Sequence, residues 1–301
     1  MLELPSGNFA CGFLYGEIDI YDKREFESKQ TIDEHNGRVC SLANLKDGRL
    51  LSASFDGTLK KINIINNDLT YVIEFTFNYY ESVVYKGIEL NNRDIISISY
   101  GGKITIWNKL STKSYKTEKV QEFKDEELFD VLQISEDLLV FATDSCLRFF
   151  DIDSYENIDT IRGVEINRNN CLVLLNEIYL VVLLKDEIGI FDINKKTMIH
   201  SFDISKGKLD SISLLRNNNI MVGVSNNDYS TKETILYLRE YEFNSGKTYF
   251  VGEKKEVIQK MDESDYTRIS PVIVLHNNSI IVYGTIGMEN KKLCGIISVL
   301  S

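Results

Sequence analysis

Residues 35–63 read HNGRVCSLANLKDGRLLSASFDGTLKKIN, and this stretch decides the fold. A His-Asn-Gly turn leads into an apolar strand carrying Val39, Ser41, Ala43 and Leu45. Lys46-Asp47-Gly48 then turns the chain into a second strand, Leu50 to Ser54, and Asp56-Gly57 turns it into a third. Asp-Gly supplies the positive φ that a tight hairpin needs, so short alternating strands joined this way form an antiparallel meander.

The unit recurs. Taking the turn before the third strand as anchor, the positions are Gly16, Gly57, Gly102, Ser145 and Asp186, at successive spacings of 41, 45, 43 and 41. Five residues past each anchor stands a large apolar residue followed by an acid or amide: Tyr21-Asp22, Ile62-Asn63, Trp107-Asn108, Phe150-Asp151 and Phe191-Asp192. A period of about 40 to 45 residues is that of propeller blades. A sixth unit begins near Ile212, with a longer connection at 226–233 between its second and third strands and a hairpin around Asn244-Ser245-Gly246. A seventh shows three strands, Val272 to Leu275, Ile280 to Tyr283 and Cys294 to Leu300.

Residues 35–64 resemble one repeat of the WD-repeat β-propeller family: a His before the first strand, a Ser-x-Asp-Gly turn, and the aromatic-Asp ending in relaxed form as Ile62-Asn63. The other repeats match in spacing and at the aromatic-acid position. The resemblance implies an all-β, seven-bladed β-propeller of four-stranded antiparallel blades whose last blade is incomplete. The whole chain, 1–301, reads as a single domain, with no Pro/Gly/Ser-rich linker, and its start directly on a strand pattern suggests excision from a longer protein.

The formal charge is −11 with a pI near 4.9. Such a field repels nucleic acid and anionic lipid, so neither a nucleic-acid nor a membrane partner is expected. The five cysteines, Cys11, Cys40, Cys146, Cys171 and Cys294, are scattered and read as reduced core residues. With no basic leader or spanning apolar run, a cytoplasmic location is expected.

Catalytic constellations are few. His35, Ser54 and Asp56 have the composition of a hydrolase triad. In the family that the chain resembles, these positions, with a Trp, form a structural network between loop and turn, and Ile62 takes the Trp position here. Asp22, Asp151 and Asp192 recur one per repeat, which suits a turn-stabilising role. No C-x-x-C or calcium-loop spacing occurs, and Gly101-Gly102 lies between strands rather than before a helix. Neither a metal nor another cofactor is expected, and neither is a catalytic site.

The acidic run 122–130, EFKDEELFD, reads as a solvated connection, the sharper alternative being docking for a basic peptide. Propellers commonly bind partners on the face carrying the turns between second and third strands and the connections between blades. The resemblance places Arg38, Phe55, Tyr80, Tyr100, Arg168, Tyr229 and Tyr266 near that rim, and Tyr and Arg are residue types that dominate interface energetics. The leading expectation is a non-catalytic interaction module for a protein or peptide, a scaffold. The alternatives are a propeller hydrolase or lyase with a central-channel site and a structural subunit of a large assembly.

Overall fold

The computed structural model describes residues 1–25, 27–65, 67–78, 82–111, 114–123, 126–166, 170–204, 207–215, 217–228, 233–244, 246–260, 268–269, 273–274, 280–283, 285–286 and 295–298. The described elements are all strands. Sheet one comprises β1 (Leu2–Glu3), β2 (Phe9–Gly12), β3 (Glu17–Tyr21) and β4 (Ser28–Asp33); sheet two comprises β5 (Val39–Asn44), β6 (Leu50–Ser54), β7 (Leu59–Ile65) and β8 (Thr70–Phe77). Sheet three comprises β9 (Val84–Glu89), β10 (Ile95–Ser99), β11 (Lys103–Ser111) and β12 (Ser114–Glu122), and sheet four β13 (Leu128–Gln133), β14 (Leu138–Thr143), β15 (Cys146–Asp151) and β16 (Glu156–Arg162). Sheet five comprises β17 (Leu172–Leu175), β18 (Tyr179–Leu183), β19 (Glu187–Asp192) and β20 (Thr197–Asp203). Sheet six comprises β21 (Lys208–Leu214), β22 (Ile220–Asp228), β23 (Glu233–Asn244) and β24 (Lys247–Lys260).

All six are four-stranded meanders in chain order. Beyond them, β25 (Arg268–Ile269) pairs with β28 (Thr285–Ile286), and β26 (Ile273–Val274), β27 (Ile280–Tyr283) and β29 (Gly295–Ser298) form a three-stranded sheet. The chain divides into two compact units, Met1–Thr160 and Ile161–Ser301.

Alternation along each strand explains how the sheets of the first unit share their cores. Leu50 and Ile62 face sheet one, joining Leu4, Ala10, Ile18, Ile20 and Ile32. The neighbouring residues Leu51, Ala53 and Leu59 point the other way, onto Val84, Ile95 and Trp107 of sheet three. Ile96, Ile98, Ile104 and Ile106 then pack on Leu128, Val131, Leu139 and Phe141 of sheet four. Each sheet buries both faces against successive neighbours, so its strands are apolar at both parities. The recurrent aromatic position sits inside these layers: Tyr21 stacks on Phe9 at 5.4 Å, and Trp107 meets Phe77 edge-on at 5.0 Å.

Two of the anchor glycines, Gly16 and Gly102, mark a crossing. A Cβ on Gly16, whose φ is +105°, would lie 1.9 Å from the carbonyl oxygen of His35, and one on Gly102 would lie 2.4 Å from that of Phe123. The chain leaving each of these sheets passes directly over its own turn, and only glycine leaves room.

Sheet six departs from the expected plan. Asn226, Asn227 and Asp228 are not a loop: they extend β22 and pair with Ile235, Thr234 and Glu233 of β23. Partners Phe9↔Tyr21, Leu50↔Ile62 and Ile95↔Trp107 lie twelve positions apart, while Ile220↔Tyr241 lie twenty-one apart. Tyr241-Glu242 is therefore this sheet's aromatic-acid pair, displaced by a lengthened hairpin. It packs like its counterparts, 4.8 Å from Phe202.

Candidate functional site

The His35 constellation forms, with a change of serine. His35 Nδ1–H donates to Asp56 Oδ2 at 2.9 Å, and Nε2 accepts from the Ser52 hydroxyl at 2.8 Å. Ser54, the serine expected in this role, instead donates to the Gly37 carbonyl at 2.8 Å and accepts the Asp56 N–H. Thr58 closes the group, its hydroxyl donating to Asp56 Oδ1 at 2.7 Å. Ser–His–Asp order and distances are those of a catalytic triad, yet Ser52 is wholly buried and the His35 side chain has no exposed surface. The arrangement joins the connection at His35–Gly37 to the turn at Ser54–Thr58. Sheet three holds the complementary half of the motif: Trp107 Nε1–H donates to Ser97 Oγ at 3.3 Å.

Burial holds the His35 imidazole below its usual range, against the pull of Asp56. Asp56 is also held low: burial opposes ionisation but is outweighed by hydrogen bonds from Thr58 and Asn36 and by His35. Since the unfolded chain binds protons that these native groups refuse, the His35 contribution is complete above about pH 6.5 and lost as pH falls below it; that of Asp56 is lost below about pH 4. The urea midpoint is expected to drop between pH 7 and pH 5 in the wild type, and to drop less in His35→Gln. Equal slopes would contradict this assignment.

The acids that end the third strands act as turn caps. Asp22 Oδ1 accepts from Arg24 N at 2.7 Å, Asp151 Oδ1 from Ser154 N at 2.8 Å and Asp192 Oδ1 from Lys195 N at 2.9 Å. These backbone hydrogen bonds are the main reason all three carboxyls sit below the ordinary carboxylate range. Among the described residues no group of three His, Cys, Asp or Glu side chains is placed to hold a metal ion.

Of the rim residues expected from sequence, Tyr80, Arg168, Tyr229 and Tyr266 lie outside the described residues. The structure brings Arg38 and Phe55 together: the guanidinium lies 5.7 Å from the ring centroid, and Phe55 N–H donates to the Arg38 carbonyl at 2.8 Å. Phe55 is 44% exposed and meets Tyr85 edge-on at 6.2 Å. Tyr100, 55% exposed, stands on the matching turn of sheet three, where its N–H donates to Val83 O at 2.9 Å. Tyr85 was not among the expected residues, because it lies on β9 rather than in a loop. Burial, then the Glu127 carboxylate and more weakly Cys40 and Tyr100, hold the Tyr85 phenol above its usual range. Arg38, Phe55, Tyr85, Tyr100 and Glu127 thus mark a surface across sheets two to four.

The β-propeller domain of Myceliophteria thermophila Cps50 (Swd1) is similar to this chain with a TM-score of 0.70 and 15% identity, covering 100% of this chain and 96% of that one. The WD40 propeller of Doa1 is similar at 0.60 and 15%, covering 72% and 71%. This is the WD40 β-propeller fold. In propeller terms the four-stranded sheets are blades one to six, followed by a partial blade with three described strands, and Phe55 and Tyr100 lie on equivalent turns of blades two and three. No family model matches the chain, and no curated protein does.

Proposed function

We propose that this propeller is a non-catalytic interaction module that holds a protein or peptide partner on the turns of blades two and three and the connection into blade four. One observation carries the reading: the exposed Phe55 of blade two meets the half-buried Tyr85 of blade three, a blade that also carries the exposed Tyr100, a concentration of contact area that suits a binding surface. The His35 constellation, in contrast, is sealed from substrate. The chain's negative charge disfavours nucleic acid and anionic membrane as partners. In this reading the 301 residues work as one scaffold domain in the cytoplasm.

The test compares partners captured from source-cell lysate by the wild type and by an Arg38→Ala, Phe55→Ala, Tyr100→Ala variant, with folding checked by circular dichroism. All three side chains are at least partly exposed, so the variant is expected to fold and to lose the partner. A partner held equally by both would move the site elsewhere, and hydrolysis of a generic ester abolished by Ser52→Ala would revive an enzyme reading.

A further inference from the structure

We infer that the Arg38–Phe55–Tyr85–Tyr100 surface receives an arginine side chain of the partner, and that Arg38 occupies that place until the partner arrives. The inference rests on the interaction-module reading and adds the chemistry of the ligand. Aromatic faces attract cations, and a guanidinium stacks on them with less desolvation cost than an ammonium. The structure shows the fit: the Arg38 guanidinium already lies 5.7 Å from the Phe55 centroid. Among the described residues neither a side-chain hydrogen bond nor an ion pair fixes that guanidinium, so the aromatic face holds it and another guanidinium can replace it.

The surrounding charge selects the same ligand. Glu127 is exposed, acts on the Tyr85 phenol, and has no ion pair among the described residues. Asp144, also exposed, lies beside it, its N–H donating to Glu127 O at 3.1 Å. The whole chain carries −11. A carboxylate or phosphate ligand would meet Arg38 favourably but these acids unfavourably, whereas an arginine gains the ring faces and the Glu127 carboxylate together. The two possibilities predict opposite signs for one substitution, since removing Arg38 vacates the place for a cation and removes the attraction for an anion.

The experiment titrates full-length protein with acetyl-Ala-Ala-Arg-Ala-Ala-amide and with the same peptide carrying citrulline, a neutral near-isostere, followed by saturation-transfer NMR at fixed ionic strength. The arginine peptide is expected to bind at least fivefold tighter than the citrulline peptide. Phe55→Ala and Glu127→Gln are each expected to weaken it threefold or more, and Arg38→Ala to tighten it by a similar factor. Binding of the arginine peptide seen only in Arg38→Ala would equally support the inference. Weaker binding in Arg38→Ala, equal binding of the two peptides, or no binding in either protein would overturn it. Those failures leave the interaction-module reading to the lysate comparison, where loss of a captured partner in the triple variant does not depend on the ligand's charge.

Discussion

Lys61→Ala lowers the free energy of unfolding by about 3–5 kcal/mol, the cost of breaking a buried ion pair from one side. The Lys61 side chain has no exposed surface, an uncommon state for an ammonium. It is held by Asp47 Oδ2 at 2.9 Å, Glu74 Oε2 at 3.7 Å and the Tyr115 hydroxyl at 3.5 Å. Burial alone would lower its pKa, but the hydrogen bonds and charges of Asp47 and Tyr115 raise it, so the lysine stays charged. Removing it leaves Glu74, 4% exposed, paired with Arg49 at 3.2 Å, and opens a cavity between blades two and three. A double-mutant cycle with Asp47→Ala measured by urea denaturation is expected to show coupling above about 1 kcal/mol. Additive losses would mean the pair contributes little beyond packing.

Asp130→Ala is expected to cost a similar amount, about 3–5 kcal/mol, and to disturb binding as well. Asp130 is wholly buried on β13 and meets Lys86 of β9 at 2.5 Å, with Val131 N–H also donating to it at 2.8 Å. Loss of the carboxylate leaves the Lys86 ammonium, 18% exposed, without this partner at the seam between blades three and four. Lys86 follows Tyr85 in sequence, and Glu127 precedes the strand that carries Asp130, so the ion pair sets the spacing of the proposed surface. Partner capture should therefore fall in Asp130→Ala under conditions where circular dichroism shows it folded. Asp130→Ala with wild-type stability would show that Lys86 finds water without penalty.

Much of the fold is readable from spacing alone. Five anchors, each followed by a large apolar residue and an acid or amide, locate blades one to five because strand alternation and turn residues are local properties of the chain. Blade six escapes that scheme because its hairpin is lengthened, which carries Tyr241 away from the position the period assigns. The signal was present in Tyr241-Glu242 followed by Asn244-Ser245-Gly246, but Asn226-Asn227-Asp228 reads as the start of a loop, and only cross-strand pairing shows these three residues to be strand. Ser52 and Ser54 illustrate a finer limit. Two residues apart, they share one face of β6, so composition cannot say which reaches His35. The register of the neighbouring strands decides, and it selects Ser52. Tyr85 was invisible for a related reason, since it lies on a strand and only the packing of neighbouring sheets brings its ring edge-on to Phe55.

The most direct test of the central claim is site-specific photocrosslinking in source cells. Phe55→benzoylphenylalanine and Tyr100→benzoylphenylalanine place the probe on the proposed surface, and Leu69→benzoylphenylalanine and Leu110→benzoylphenylalanine place it at exposed positions by the turns between third and fourth strands. A shared protein adduct from positions 55 and 100, absent from 69 and 110, is the predicted result. Adducts from 69 and 110 alone would place the partner on other turns and contradict the account.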